Sequence, residues 1–323
     1  MNRISVKVLM ILALMVSLFV FAQDAQDAKE DKTIKILMIG NSFSESVLSY
    51  FPEMVKNDGT IKMRLRQAYI GGCTIERHLN EYDKAKANPK HRPYTTNLEL
   101  PGAPKTKDGK KWKANLPEML ADGTWDIVTI QQGSSHSWRP ETYQADADRL
   151  VSIVREYQPK AEIVVHETWA YRCDSPRLTT WKIDQAEMHK RVSSCYKDFA
   201  SRYKFRLIPV GDAVDIFRKQ VAKPFKPLTA EEKAALVYPK LPDENGDVVG
   251  KSSWVNKKDS KERELKVDYI HLNKQGRYLQ ACVWYMYLFG KSGADIKIFP
   301  KDMKAETCRT MIKCAEKAIQ DNK

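Results

Sequence analysis

Five short apolar runs, each followed by an amphipathic helical pattern, constrain the fold of this chain more than any other feature. The runs predict strands at residues 34–39, 61–70, 125–130, 161–165 and 205–210. Strands that alternate with helices form a parallel sheet, because each helix crosses one face of the sheet before the next strand. The sequence therefore predicts an α/β fold: a doubly wound parallel sheet of about five strands in a three-layer α/β/α arrangement.

The helical patterns and two irregular stretches define the organisation of the chain. Helices are predicted at residues 46–57, 74–82, 141–157, 183–203, 212–221, 273–289 and 303–319. Residues 85–113 are polar and rich in Pro and Lys, which predicts a surface loop. A second Lys-rich stretch at about 222–266 breaks the alternation and is predicted to be an insertion over the top of the sheet. We expect residues 33–323 to form one domain that includes this insertion.

The first 22 residues have the pattern of a secretory signal peptide. Arg3 and Lys7 precede an apolar run at residues 8–21, and Val20 and Ala22 offer small residues at the −3 and −1 positions of a cleavage site. The run is short for a membrane span, although an uncleaved anchor is the alternative. Residues 23–32 form a polar leader. We expect a periplasmic or secreted protein without stable membrane insertion after cleavage.

The chain is basic, with 54 Lys and Arg against 41 Asp and Glu and a formal net charge of +13. Such a balance fits attraction to a polyanion: an acidic polysaccharide, lipid head groups or nucleic acid. The favoured alternative is a solvated basic surface, because net charge concerns association and not chemistry. Export argues against nucleic acid, so no nucleic-acid partner is expected.

The cysteines and histidines show no metal-binding spacing. The six cysteines contain no C-x-x-C pair, and His78, His91 and His189 contain no H-E-x-x-H pair. Six cysteines allow fifteen pairings, so no disulfide is predicted. We expect no metal site.

Polar residues that could carry acyl-transfer chemistry follow the predicted strands. In a doubly wound sheet, ligands bind at the carboxyl ends of the strands. The residues at those ends are Gly40-Asn41-Ser42, Gly71-Gly72, Gln131-Gln132-Gly133-Ser134-Ser135 and His166-Glu167, and Asp268-Tyr269-Ile270-His271 precedes the last helices. This set contains a hydroxyl nucleophile, a base, an acid that could orient the base, and donors for an oxyanion.

The order of these blocks resembles the SGNH (GDSL-like) hydrolase superfamily, and within it a poorly characterised branch that opens with Gly-Asn-Ser. The resemblance covers nearly the whole mature chain and implies a flavodoxin-like SGNH fold. It implies that Ser42 is the nucleophile, His271 the base and Asp268 the acid that orients His271. It also implies a backbone oxyanion donor at Gly72 or its neighbour Gly71.

Two departures from the superfamily pattern concern the first and third blocks. Asn41 stands where the first block usually has Asp, but that acid is not part of the triad. The usual Asn of the third block is absent, and Gln131-Gln132-Gly133 resembles instead the Gln-Gly pattern of sialic-acid and acetyl-xylan esterase relatives. Gln132 is therefore assigned as the third oxyanion donor, with Gln131 or Ser135 as alternatives.

Each motif also has a purely structural interpretation. Ser42 could cap a helix, although Ser44 is the better candidate for that cap. Asp268 could cap the final helix pair, and His271 could be a hydrogen-bonded core histidine. The motif G-x-S-x-G of α/β-hydrolases is not met, because Gly40-Asn41-Ser42-Phe43-Ser44 ends in Ser.

Aromatic residues near the strand ends are candidates for substrate binding. Trp138, His166 and Trp169 are predicted to line the cleft, where aromatic rings stack on sugar faces; core packing is the alternative. Together these observations predict a secreted serine esterase without a cofactor, acting on short acyl esters, acetyl above all, of a small molecule or polysaccharide. A lipid esterase or acyltransferase with the same triad is one alternative. A carbohydrate-binding protein with a decayed site is another.

Overall fold

The structure is a computed structural model that describes residues 33–97, 99–100, 102–258 and 260–323. The predicted signal peptide and polar leader lie outside the described residues. Within the described ranges, none of the helices combines the length and the apolar character needed to cross a bilayer.

Five strands follow the predicted apolar runs, and the described residues contain four further strands. They are β1 (Ile34–Gly40), β2 (Met63–Tyr69), β3 (Tyr94–Thr96), β4 (Trp112–Ala114), β5 (Ile127–Ile130), β6 (Glu162–His166), β7 (Arg206–Ile208), β8 (Val249–Asn256) and β9 (Arg263–Leu272).

The helices surround the sheet and are named here in chain order. They are α1 (Ser42–Glu45), α2 (Phe51–Asp58), α3 (Ile75–Ala87), α4 (Leu116–Leu120), α5 (Gln144–Tyr157), α6 (Pro176–Trp181), α7 (Gln185–Tyr203), α8 (Val210–Gln220), α9 (Ala230–Ala234), α10 (Lys274–Phe289) and α11 (Ala305–Asp321). Short 3₁₀ turns occupy Ser46–Ser49, Pro140–Thr142 and Gly293–Asp295.

The main sheet has seven strands in the order β4-β3-β2-β1-β5-β6-β7. The five strands from β2 to β7 in this order are parallel, and β3 and β4 add an antiparallel edge beside β2. The predicted fold class is therefore confirmed. Both edge strands begin within residues 85–113, which the sequence predicts as a surface loop or excursion, so the strands themselves were missed.

The strand order places β1 at the centre of the sheet. Its neighbours are β2 on one side and β5 on the other, with Gly40 opposite Tyr69 and Ile39 opposite Ile130. The order of the parallel strands reverses between β1 and β5, which is where open α/β sheets bind ligands. Residues 41 and 42 leave β1 at this point.

The core lies on both faces of the sheet. Ile36–Ile39 of β1 are at most 1% exposed, as expected for a strand covered on both sides. Helix α10 is buried along most of its length and packs against α2, α8 and α11. A helix that is apolar nearly all round belongs in a core.

The predicted Lys-rich insertion contains strand β8 and the beginning of strand β9. Strands β8 and β9 form a separate two-stranded antiparallel sheet, in which Lys251 lies opposite Asp268 and Ser253 opposite Lys266. Asp268 and His271, which precede the last two long helices as the sequence indicates, both lie on strand β9.

Candidate active site

The turn after β1 is held in one conformation by Asn41. Its side-chain oxygen accepts hydrogen bonds from the backbone N–H of Phe43 (3.0 Å) and from Gln131 Nε2 (2.8 Å), and its Nδ2 donates to the carbonyl oxygen of Cys73 (2.9 Å). Asn41 is therefore the N-cap of α1, and the prediction that Ser44 caps this helix was wrong. The Ser44 hydroxyl instead donates to the carbonyl oxygen of Asn41 (3.0 Å).

Glycine is required at position 40 because the turn is tight. A Cβ atom there would lie 2.3 Å from Ser44 Oγ and 3.0 Å from the Gln131 side chain. Because glycine has no Cβ, the chain can leave β1 and begin α1 at Ser42 without displacing Ser44 or Gln131.

Ser42, His271 and Asp268 form one hydrogen-bonded series across 229 residues of sequence. Ser42 Oγ lies 2.8 Å from His271 Nε2, and His271 Nδ1 lies 2.8 Å from Asp268 Oδ2. The structure thus brings together the three side chains that the sequence predicts as nucleophile, base and orienting acid. The His271 and Asp268 side chains are 36% and 30% exposed, so the series lies on the floor of an open cleft.

The carboxylate of Asp268 is held in its ionised form. Burial alone would raise its pKa, but hydrogen bonds from His271 Nδ1 and from the backbone N–H groups of Ile270 and His271 outweigh burial. The pKa of Asp268 is therefore well below its usual range. A carboxylate in this state fixes the His271 ring with Nδ1 protonated and Nε2 facing Ser42.

A bulge in β8 shapes the strand that carries the acid and the base. The pairing of β8 with β9 shifts between Val249 and Lys251, and Gly250 between them has φ of +88°. A Cβ at Gly250 would lie 2.8 Å from the carbonyl oxygen of Asp268. Glycine therefore allows β8 to approach the backbone of the orienting acid closely.

Arg172, between β6 and α6, binds the two antiparallel strands β8 and β9, which together form the β8–β9 hairpin. Its buried guanidinium pairs with Asp174 (2.7 Å) and Glu244 (2.6 Å), and its backbone N–H donates to the carbonyl oxygen of Tyr269 (2.9 Å). Glu244 also accepts from the backbone N–H of Ser252 in β8 (2.7 Å). Sequence reasoning missed this contact, since nothing near Arg172 in the sequence announces two acidic partners.

Trp169 contacts both α1, which begins at Ser42, and strand β9, which carries His271. Its ring stacks on Phe43, and its Nε1–H donates to the carbonyl oxygen of Ile270 (2.9 Å). Phe43 in turn contacts the His271 ring edge-on, with 5.7 Å between centroids. Trp169 borders the cleft beside Ser42, but it is fully buried, so its main contacts are with the protein.

Two backbone N–H groups that follow β1 and β2 have no hydrogen-bond acceptor among the described residues. Ser42 is the first residue of α1, so its own N–H has no partner within the helix. Gly72 follows β2, the strand beside β1, and is exposed with φ of +61°. No described residue accepts a hydrogen bond from the Gly72 N–H.

Gln132 does not occupy the position expected for an oxyanion donor. Its Oε1 accepts from the backbone N–H of Ile75 (2.9 Å) and Gly133 (2.8 Å), and its Nε2 donates to the carbonyl oxygen of Thr142 (2.8 Å). The amide is buried and its donors are engaged, so this expectation is corrected: Gln132 connects loops.

The two alternatives to Gln132 are engaged as well. Gln131 is buried and donates to Asn41, and Ser135 Oγ lies 2.9 Å from His136 Nδ1. Gln131 therefore contacts the turn that precedes Ser42 through its hydrogen bond to Asn41. None of the three side chains is directed at Ser42 by the contacts it makes.

Two of the three predicted substrate-binding rings, His166 and Trp138, do not line the cavity that contains Ser42. His166 is fully buried and lies edge-on to Trp284, with 5.0 Å between centroids, which lowers its pKa to about 3 through loss of solvation. Trp138 packs against Trp181 at 5.3 Å. A substrate would not reach His166, because apolar packing covers the end of β6.

Within the part of the chain that the structure describes, no group of three or more His, Cys, Asp or Glu side chains could hold a metal ion. All six cysteines are unpaired. That the reaction needs no cofactor stays a prediction.

Comparison with known proteins finds a family model and solved structures that match this chain. A family model described as "Domain of unknown function (DUF4886)" matches residues 35–221, more than half of the chain. A crystal structure of a DUF4886 family protein from Bacteroides uniformis is 25% identical, with a TM-score of 0.67, and the match covers 90% of this chain and 97% of that one. No curated protein matches this sequence significantly.

More distant structures also match. A protein from Slackia heliotrinireducens, provisionally described as an SGNH hydrolase, is 21% identical with a TM-score of 0.46, and the match covers 80% of this chain and all of that one. An acetyl xylan esterase is 12% identical with a TM-score of 0.45, covering 79% of this chain and 100% of its own. The description of the Slackia heliotrinireducens protein names the superfamily that the motifs resemble.

Proposed function

The chain belongs to the DUF4886 family, and we propose that it is a serine ester hydrolase that removes short acyl groups, acetyl above all, from a carbohydrate. The observation that carries the proposal is the series Ser42–His271–Asp268, with 2.8 Å at each of its two hydrogen bonds. Such a series activates a hydroxyl for attack on an ester carbonyl.

In the first step, Ser42 Oγ attacks the carbonyl carbon of the ester. His271 Nε2 accepts the hydroxyl proton, and the positive charge that forms on the ring is stabilised by the Asp268 carboxylate. The N–H groups of Ser42 and Gly72 are the donors available for the negative charge on the carbonyl oxygen. The C–O bond to the alcohol then breaks, and His271 returns its proton to the leaving oxygen.

In the second step, water replaces the alcohol. His271 accepts a proton from this water as its oxygen attacks the acyl carbon, and the bond from that carbon to Ser42 Oγ breaks. The proton then passes from His271 to Ser42 Oγ. The free acid leaves, and the enzyme is restored without an oxidant, reductant or metal.

The lining of the cleft supports a short acyl group on a polar alcohol. The cavity beside Ser42 has a volume of about 440 Å³ and is lined mostly by polar side chains, with Leu48, Trp169 and Leu272 as the apolar ones. A long acyl chain would need a continuous apolar groove. The polar lining therefore fits an acyl ester of a carbohydrate better than an ester of a lipid.

The test compares hydrolysis of p-nitrophenyl acetate by the wild type and by Ser42→Ala. We expect kcat to fall by a factor of about 10⁴ or more, because the nucleophile is removed. Ser152→Ala, the same change on the exposed face of α5, should keep the wild-type rate. Equal turnover by the wild type and Ser42→Ala would refute the proposed mechanism.

Acyl-chain length separates this function from its alternatives. The proposed function predicts faster hydrolysis of p-nitrophenyl acetate than of the octanoate ester. A preference for octanoate would favour a lipid esterase. No hydrolysis of any ester, with tight carbohydrate binding, would favour a binding protein on this scaffold.

A further inference from the structure

Two cavities open beside the Ser42–His271 pair, and both are lined by residues of the β8–β9 hairpin. The smaller, of about 440 Å³, contains Ser42 and extends toward Arg277 of α10. The larger, of about 730 Å³, extends along the hairpin toward Arg177 of α6. Lys251, Asp268 and His271 border both, so a molecule bound at the triad contacts this hairpin.

The hairpin presents two lysines on the face that carries the orienting acid. Lys251 lies directly opposite Asp268, and Lys266 lies opposite Ser253, two residues further along β8. Residues directly opposite in an antiparallel pair project to the same face. Lys251 and Lys266 therefore lie on the same face of the hairpin as Asp268 and line the larger cavity with it.

The basic side chains of the two cavities have no acidic partners among the residues that the structure describes. Lys251, Lys266 and Arg177 line the larger cavity, and Lys251 and Arg277 line the smaller. Arg177 contacts the Tyr171 hydroxyl (3.4 Å), and Arg277 contacts the carbonyl oxygen of Leu272 (3.2 Å), both neutral groups. Among the described residues, no carboxylate forms an ion pair with any of these four cations.

The carboxylates that border the cavities are already engaged. Both oxygens of Asp268 accept hydrogen bonds, from His271 Nδ1 and from two backbone N–H groups. Glu45 is paired with Lys111 at 2.7 Å. Neither carboxylate has a short contact with Lys251, so the positive charge around the triad is not neutralised by the described protein groups.

We propose that the ester substrate is an anion: the sugar that carries the scissile acyl group bears a carboxylate or a sulfate, which binds Lys251, Lys266 and Arg177. This inference rests on the proposed function and adds the charge of its substrate. Guanidinium and ammonium groups form charge-assisted hydrogen bonds with both kinds of anion. A cleft lined by charge of one sign also concentrates an oppositely charged substrate.

The test uses three aryl acetates that differ in one ring substituent: 4-acetoxybenzoate, 4-acetoxybenzenesulfonate and the neutral 4-acetoxybenzamide. Each kcat/KM is divided by the rate of uncatalysed hydrolysis of the same ester, which corrects for differences between the leaving groups. We expect at least one anionic ester to be preferred over the neutral ester by about tenfold in about 0.02 M salt. The preference should fall in about 0.5 M salt, because ions screen exposed charges. The two anionic esters distinguish a carboxylate from a sulfo group.

Variants test whether the hairpin is responsible. Lys251→Gln should reduce the anionic-to-neutral ratio of kcat/KM by about threefold or more, since one of the facing charges is lost. Lys313→Gln makes the same change on an exposed position of α11, away from both cavities, and should keep the wild-type ratio.

The possible results distinguish failure of the proposed esterase function from failure of the proposed anionic substrate. If the three esters are hydrolysed in a Ser42-dependent way without an anionic preference, the charge of the substrate is wrong and the esterase function stands. If the anionic ester is preferred but Lys251→Gln keeps the wild-type ratio, the binding of the anion by the hairpin is wrong and the esterase function again stands. If none of the three esters, nor p-nitrophenyl acetate, is hydrolysed, the esterase function fails and the inference fails with it.

Discussion

Trp169 lies face to face on Phe43, with 4.1 Å between ring centroids and 1° between ring planes. Phe43 directly follows Ser42, the proposed nucleophile, and the Trp169 indole N–H donates to the carbonyl oxygen of Ile270, which directly precedes His271, the proposed base. Trp169 therefore connects the residue after Ser42 to the residue before His271, and we expect it to position this pair.

Trp169→Phe tests this role. The variant keeps an aromatic ring against Phe43 but leaves the Ile270 carbonyl without its donor, which should lower the free energy of unfolding by about 1–2 kcal/mol. A small misplacement of His271 should lower kcat about tenfold with little change in KM. Steady-state kinetics and urea unfolding measure both effects. Trp181→Phe is the matched control, and an equal loss of kcat in that variant would contradict the assignment.

Asn41 is required as an amide because it both accepts and donates. In Asn41→Asp, a carboxylate oxygen would face the carbonyl oxygen of Cys73, which now accepts from Asn41 Nδ2. We expect a loss of about 1–3 kcal/mol in the free energy of unfolding. Asn57→Asp, on an exposed helix position, should change stability by much less. Equal stabilities of the two variants would contradict the role given to Asn41.

Arg172 holds the hairpin through a buried ion pair with two carboxylates. Arg172→Met would leave Asp174 and Glu244 without their cation, and removing one partner of a buried pair costs about 3–5 kcal/mol. Urea unfolding should show this loss, and esterase activity should fall because β9 carries Asp268 and His271. Arg191→Met, which breaks an exposed pair with Glu187, should cost about 1 kcal/mol or less. Comparable losses in the two variants would contradict the anchoring role.

His166 makes stability depend on pH. Burial lowers its pKa to about 3 in the folded state, whereas the unfolded chain protonates it near its ordinary value of about 6.5. The unfolded state therefore binds more protons between these two values, and stability falls as the pH is lowered through this window. For one such group the loss between pH 7 and pH 5 is about 2 kcal/mol.

His166→Gln should remove that part of the pH dependence. Urea unfolding at several pH values measures it, with the variant and the wild type compared first at pH 8, where His166 is neutral in both states. A wild-type dependence on pH in the variant would contradict the assignment to His166.

The central sheet could be predicted because its signals are local. Buried parallel strands such as β1 are continuous apolar runs, and the amphipathic period of the following helices is visible in the sequence. The edge strands β3 and β4 were missed because each has three residues in a polar stretch. The hairpin β8–β9 was missed because its lysines are typical of a loop, and its pairing depends on a bulge at Gly250.

The candidate site, like the sheet, could be predicted only in part from the sequence. Ser42, Asp268 and His271 could be proposed from motif order, and the structure brings their side chains together. The partners of Gln132 could not be foreseen, because Ile75, Gly133 and Thr142 meet only in the folded chain. For His166 the error was one of burial: a polar residue at a strand end was taken to be accessible, but α10 covers it with Trp284.

The most direct measurement of the central claim is covalent labelling with a fluorophosphonate, which forms a bond to an activated serine hydroxyl with loss of fluoride. Mass spectrometry of the digested protein should find one phosphonyl group, on the peptide containing Ser42. Labelling should be absent in Ser42→Ala and much slower in His271→Gln, because the ring that accepts the proton is lost. Labelling of a serine other than Ser42 would contradict the account. The absence of any label, together with ester hydrolysis by Ser42→Ala at the wild-type rate, would also contradict it.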